Sequence, residues 1–139
     1  MESDCFPYPI AAEGAEPFWS ACNRCELKMQ RCVDCGYYRW MPDEFCPQCG
    51  SLTADWALLS GRGHVTTWTV VTHPVHSAAI SRVPYIVAEV EMEEQRGLRM
   101  VSNLVEVAPE SVVFNQRVSV TFQSHPSGQK LPVFRPLVE

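Results

Sequence analysis

Six of the seven cysteines fall between Cys22 and Cys49 and form three C-x-x-C pairs: Cys22/Cys25, Cys32/Cys35 and Cys46/Cys49. Thiolates at this spacing are ligands for a soft metal ion, and a tetrahedral site takes four of them. One pair is therefore surplus. A metal knuckle turns the backbone sharply after its second cysteine so that amide N–H groups can point at sulfur, and glycine makes that turn at least cost. Gly36 follows Cys32-Val-Asp-Cys35 and Gly50 follows Cys46-Pro-Gln-Cys49, whereas Cys22-Asn-Arg-Cys25 is followed by Glu26. The expected ligands are Cys32, Cys35, Cys46 and Cys49, in the pattern C-x2-C-x10-C-x2-C.

Four cysteines close the coordination sphere and leave no position for water or substrate, so a structural zinc is expected. The same pattern also resembles the iron site of rubredoxin. A one-electron carrier therefore stays open as an alternative.

Other residues offer less. His73 and His76 in "THPVHS" stand three apart and could bind metal or move protons, or could be solvated loop residues. His64 and His125 carry no stronger signal. Cys5 and the Cys22/Cys25 pair have no local base to activate them as nucleophiles. No nucleophile elbow, phosphate-binding loop or dinucleotide fingerprint is present. Glu89, Glu91 and Glu93 read as a solvated face. "AISRVPY" (Ala79–Tyr85) places Arg82 among apolar residues in a connection between strands. It reads either as a mobile loop or as a binding loop for an anionic ligand or a partner.

The elements that must position these residues follow from periodicity. Residues 1–14 read as an extended arm bearing Phe6, Pro7, Tyr8 and Pro9. Pro17 suits a helix start, and Phe18, Cys22, Cys25 and Met29 form one stripe, predicting a helix of three to four turns that ends near Arg31. The surplus pair would lie on that stripe, where cysteine serves as a small hydrophobe. Beyond the ribbon at 32–54 the chain is strand-like. "RGHVTTWTVVT" is β-branched, and "IVAEVEME" alternates with Ile86, Ala88, Val90 and Met92 on one face. Glu94–Gly97 reads as a turn into "LRMVSNLVEV". "RVSVTFQ" directs Val118, Val120 and Phe122 inward, and "LPVFRPLV" gives a last strand whose prolines suit an edge.

The fold class expected is mainly β: an N-terminal helix, a rubredoxin-like zinc ribbon, then a five-stranded OB-type barrel, with a small open sandwich as the alternative. The divisions are 1–31 for the arm and a docking helix, 32–54 for the ribbon and 55–139 for the OB-fold.

Composition narrows the function. The formal net charge of −5 argues against affinity built on the phosphates of long nucleic acids, although a local basic pocket remains possible. An odd cysteine count gathered into C-x-x-C pairs fits metal binding in a reducing compartment, and "MESDCFPYPIAAEGAEP" lacks the basic and apolar regions of a secretory leader. A cytoplasmic protein is expected.

In order, these pieces resemble a known family: acyl-CoA-associated OB-fold proteins with a rubredoxin-like zinc ribbon, long filed as a numbered domain of unknown function. The resemblance is carried by a leading helix containing "FW", then "LKMQRCVDCG", Pro42 before the second knuckle, and "CPQCGS". It continues through "GRGHVTTWTVV" and "VPYIVAEVEMEEQRGLRMVSNL", covering roughly residues 16–125. The Cys22/Cys25 pair departs from the pattern. The resemblance implies an accessory subunit of a thiolase-fold enzyme in a hetero-oligomer, with the chemistry on acyl-CoA esters done by the partner. It also implies that the OB part helps hold the coenzyme A ester, with Arg82 as the contact to a phosphate, a carboxylate or the partner. Among such proteins a free-standing chain of this length resembles the small zinc subunit of the thiolase that cleaves benzoylsuccinyl-CoA in anaerobic toluene breakdown. A single-strand nucleic-acid binder is the third reading, since ribbons and OB-folds both serve that role.

Overall fold

The computed structural model describes residues 7–138. Cys5 lies outside them. The chain opens with helix α1 (Glu16–Asn23), which has Pro17 in its first turn and turns Phe18, Ala21 and Cys22 inward. The helix is shorter than the apolar stripe predicts. Glu26 N donates to Ala21 O and Cys25 N to Cys22 O, both at 2.9 Å, and Cys25 takes φ 58°. These are the two bonds of a Schellman cap, with cysteine at the left-handed position usually given to glycine. Met29, which the stripe counted as helical, belongs instead to strand β1 (Lys28–Cys32), where Met29 and Cys32 are buried, as is Leu27 just before it.

β1 is the centre of a small antiparallel sheet, with β2 (Tyr38–Arg39) on one side and β3 (Ala54–Leu58) on the other. Residue 31 lies inside β1, so the helix expected to run there is corrected by a strand. The remaining strands are β4 (Arg62–Val71), β5 (Tyr85–Met92), β6 (Arg99–Leu104), β7 (Arg117–Ser124) and β8 (Lys130–Pro136). They close into a barrel in the order β4-β5-β6-β8-β7, the five-strand OB arrangement rather than a sandwich.

The β5 alternation is realised in full: Ile86, Ala88, Val90 and Met92 are buried and the residues between them half-buried. β4 and β5 run antiparallel from Gly63–Met92 to Val71–Tyr85 with a bulge at Val65/Thr67. Gly63 is required here by close approach, because a Cβ on it would lie 2.3 Å from Glu91 O.

β8 is not the edge its prolines suggested. It pairs with β7 over seven registers, from Lys130–Ser124 to Pro136–Val118, and meets β6 at one parallel pair, Leu104 with Phe134. The prolines still limit pairing: Pro132 has no N–H to offer, and its carbonyl instead accepts from Ser102 Oγ at 2.6 Å. The barrel therefore closes with a slack seam between β6 and β8.

Helix and ribbon sit against the barrel end that carries the β5–β6 and β7–β8 turns. Gln95 in the first turn pairs with the Tyr38 backbone in both directions, accepting from N at 2.9 Å and donating to O at 2.8 Å. Gln129 in the second turn donates to Trp19 O and Asn23 Oδ1, both at 3.1 Å. Phe18, Cys22, Leu27 and Met29 join Val65, Val90, Met92, Val118 and Phe134 in one continuous core.

Candidate functional site

The two glycine-backed knuckles fold alike. In the first, Cys32 N donates to Tyr37 O at 2.9 Å and Gly36 N to Cys32 O at 3.0 Å. In the second, Cys46 N donates to Ser51 O at 2.9 Å and Gly50 N to Cys46 O at 2.8 Å. Gly36 at φ 77° and Gly50 at φ 79° supply the left-handed turn that makes these closures possible. A Ser51 Oγ to Asp34 Oδ2 hydrogen bond ties the knuckles together, and Val33 N donates to Thr53 O at 3.1 Å. Arg31 braces the first knuckle, donating from Nε to Gly36 O at 3.1 Å while its guanidinium lies 5.0 Å over the Tyr38 ring.

This architecture brings the sulfurs of Cys32, Cys35, Cys46 and Cys49 within 4.8 Å of one another. Cys32 and Cys49 are 3.6 Å apart and Cys35 and Cys46 3.5 Å. A tetrahedron with Zn–S near 2.3 Å has S···S edges of about 3.8 Å, so the cluster fits one such ion. Gln48 N lies 3.4 Å from the Cys46 sulfur. The Cys35 backbone N–H, bonded to the Cys32 sulfur, brings that thiol down to about 6 against the opposing push of burial. Bound there, the metal would act as a cross-link between the knuckles, since four sulfurs leave it no open position.

The first C-x-x-C pair stands apart. Cys22 is completely buried, and burial pushes its thiol up to about 12. Cys25 is exposed on the helix cap, with Lys130 Nζ 3.5 Å from its sulfur. Neither joins the four-sulfur cluster, which is the one group of three or more ligand-type side chains among the described residues.

The histidines do local work. His76 Nδ1 accepts from Ala78 N at 3.0 Å and caps a short 3-10 turn, and His125 is buried with Nδ1 2.8 Å from Ser127 Oγ. The acidic row is more than a solvated face. Arg99 reaches Glu89 at 3.3 Å and Glu91 at 3.2 Å, and Arg62 holds Glu93 at 2.8 Å. The Gly97 N–H bond, together with Arg99 and His64, keeps the Glu91 carboxyl below its usual range. The available signal is Arg99, which a hairpin about the Glu94–Gly97 turn sets opposite Glu91 and which the alternation alone does not reveal.

Arg82 lines a groove that sequence reasoning did not foresee. It has a volume of about 860 Å³ and runs along the outer face of β5 and β6 and across the seam to β8. Val87, Val101, Leu131 and Val133 lie along it, with Trp19 and Trp40 at its sides. It is formed only once helix, ribbon and barrel are assembled, so no local pattern announces it. No described helix is long and apolar enough to cross a membrane.

Comparison with known proteins places this architecture. Residues 19–53 match the rubredoxin-like zinc ribbon domain of ChsH2, and residues 56–123 match the C-terminal OB-fold domain of ChsH2. The probable enoyl-CoA hydratase alpha subunit of Thermomonospora curvata is 38% identical over 122 residues, covering 87% of this chain and 37% of that protein. The chain thus spans little more than a third of that subunit's length. A DUF35 domain-containing scaffold protein of Methanothermobacter thermautotrophicus is 30% identical over 104 residues, covering 73% of this chain and 74% of its own length. The solved structure of the Ltp2-ChsH2(DUF35) aldolase contains a chain that is 35% identical, with a TM-score of 0.85 over 94% of this chain and 100% of that one. The chain belongs to the ChsH2/DUF35 family, proteins that join a rubredoxin-like zinc ribbon to an OB-fold.

Proposed function

We propose that this chain is a non-catalytic accessory subunit that docks on a partner enzyme acting on acyl-CoA esters. The observation that carries the reading is the likeness, over the whole of that chain, to a component of an aldolase assembly. The four-sulfur cluster supports it, because zinc held by Cys32, Cys35, Cys46 and Cys49 staples the ribbon and has no position left for substrate.

In the finer form of the proposal the partner has a thiolase fold and supplies the nucleophile and acid–base groups for cleaving or forming a C–C bond. The arm, α1 and the ribbon form the docking side, and Arg82, in the Ala79–Tyr85 connection, meets a phosphate or carboxylate of the coenzyme A ester or the partner. The cleavage of benzoylsuccinyl-CoA is the most specific substrate assignment within this reading.

Affinity purification from the native host tests it. A thiolase-fold protein recovered at one-to-one stoichiometry, with a colourless zinc-loaded small subunit, is the expected result. A lone monomer at low salt overturns the accessory role. A red preparation that bleaches on reduction assigns the site to iron and electron transfer instead.

A further inference from the structure

We infer that the groove over the β6–β8 seam is a docking slot for an extended, apolar, proline-containing segment of the partner polypeptide, and that the chain's own Pro7-Tyr8-Pro9 holds the slot until the partner arrives. The inference rests on the accessory-subunit reading above and adds to it the chemistry of the docking segment.

The slot has the shape such a segment needs. β6 meets β8 backbone to backbone only around Leu104–Phe134, and at Ser102 the link is a side chain, Oγ donating to the Pro132 carbonyl, so this seam is the most thinly laddered line of the barrel. Val101 on this stretch is 64% exposed, and the half-buried Leu131 continues the apolar surface on β8. Trp19 and Trp40 wall the slot with large flat rings, the surface on which proline-rich chains pack. Charge is sparse: Arg82 lies at the slot, and Glu89 and Arg99 there already pair with each other at 3.3 Å. A neutral, apolar segment is therefore favoured over an acidic peptide or a single-stranded nucleic acid.

The chain itself supplies an example of the occupant. Pro7 and Pro9 line the groove, and the Tyr8 ring packs 5.0 Å from that of His125. Two prolines fix their own φ near −65° and push the residue between them toward extended backbone, so little ordering entropy is lost on docking. The hold is light. Tyr8 is 49% exposed and Ile10 86%, so a longer segment with the same chemistry displaces this one.

The test uses the full chain and a fluorescently labelled peptide of residues 6–12, FPYPIAA, followed by anisotropy. Loosening the internal segment with Tyr8→Ala and Pro9→Gly tightens peptide binding by about fivefold or more, because the competitor is weakened. In that background Trp40→Ala weakens binding by about tenfold or more, as loss of an aromatic anchor does. Trp40 also packs on Phe18 at 4.3 Å, so Val101→Glu, at an exposed site, gives the same loss without touching the core. No saturable binding to the loosened variant overturns the inference, as does binding indifferent to both groove variants. Displacement of the peptide by an acyl-CoA at low concentration would reassign the groove to a small ligand. A partner captured by a chain that ignores the peptide leaves the accessory role standing and removes the slot. Peptide binding with no partner captured does the reverse.

Discussion

Replacing both members of the surplus pair, Cys22→Ala with Cys25→Ala, should leave the metal in place, whereas Cys46→Ala alone should expel it. The magnitudes follow from the surroundings. Cys22 is fully buried with its thiol pushed up to about 12, so burial holds it as the neutral thiol rather than the thiolate a metal binds. Truncating it removes one sulfur from the core shared by Phe18 and Met29, a loss of about 1–2 kcal/mol on the scale of deleted buried groups. Cys25 is exposed, and its truncation to alanine keeps the left-handed cap strained as before, adding little. The double variant should melt about 3–7 °C lower with its zinc intact. Cys46 is buried and 3.5 Å from Cys35 within the cluster, and without it three sulfurs remain around a site built for four. Zinc per chain, measured by elemental analysis after gel filtration, should stay near one in the double variant and fall well below one in Cys46→Ala. Zinc lost from the Cys22/Cys25 variant, with Cys46→Ala still loaded, would refute the assignment of the ligands.

Four further outcomes are expected. Gly63→Ala places a methyl 2.3 Å from the Glu91 carbonyl and must push β4 from β5, costing about 2–3 kcal/mol in urea unfolding. Gly50→Ala meets nothing within 4 Å and pays only for φ 79°, about 1–2 kcal/mol, with Gly50→Asn milder still. Glu91 has its folded-state titration lowered first by the Gly97 N–H and then by Arg99 and His64, so its contribution is present above the unfolded value of 4.5 and is lost as pH falls below it. Glu91→Gln should accordingly be less stable than the parent at pH 6, with the gap narrowing as pH falls below 4.5 in paired urea titrations. Gln95→Ala strips both partners from the Tyr38 backbone, which should cost about 1–3 kcal/mol and raise hydrogen exchange at the Tyr38 amide.

Much of this molecule can be read from its residues where local chemistry and global fold agree. The knuckle glycines at 36 and 50 identify the four sulfurs because the left-handed turn is a property of two residues. β5 is legible because both of its faces obey period two. Reading fails where one residue satisfies two patterns. Met29 completes a helical stripe from Phe18 and also alternates with Leu27 as a strand, and the cap that decides between them uses Cys25 in a conformation that cysteine seldom adopts. The prolines of β8 correctly forecast poor pairing but on one side only, since the strand is fully laddered to β7. The Ala79–Tyr85 connection with Arg82 could be marked as a binding loop, but the groove beside it could not, because its walls come from the arm, the helix, the ribbon and four strands.

The slack seam has a mechanical consequence. The two strands that flank it, β6 and β8, each begin at a turn gripped from outside: Gln95 before β6 is held by Tyr38 of the ribbon, and Gln129 before β8 by Trp19 and Asn23 of the helix. Helix and ribbon are joined directly in sequence and packed in one core, so together they clasp the barrel across its weakest line. The girth of the barrel is thereby set from the metal side, and loosening the four sulfurs would let the seam breathe at a distance from them.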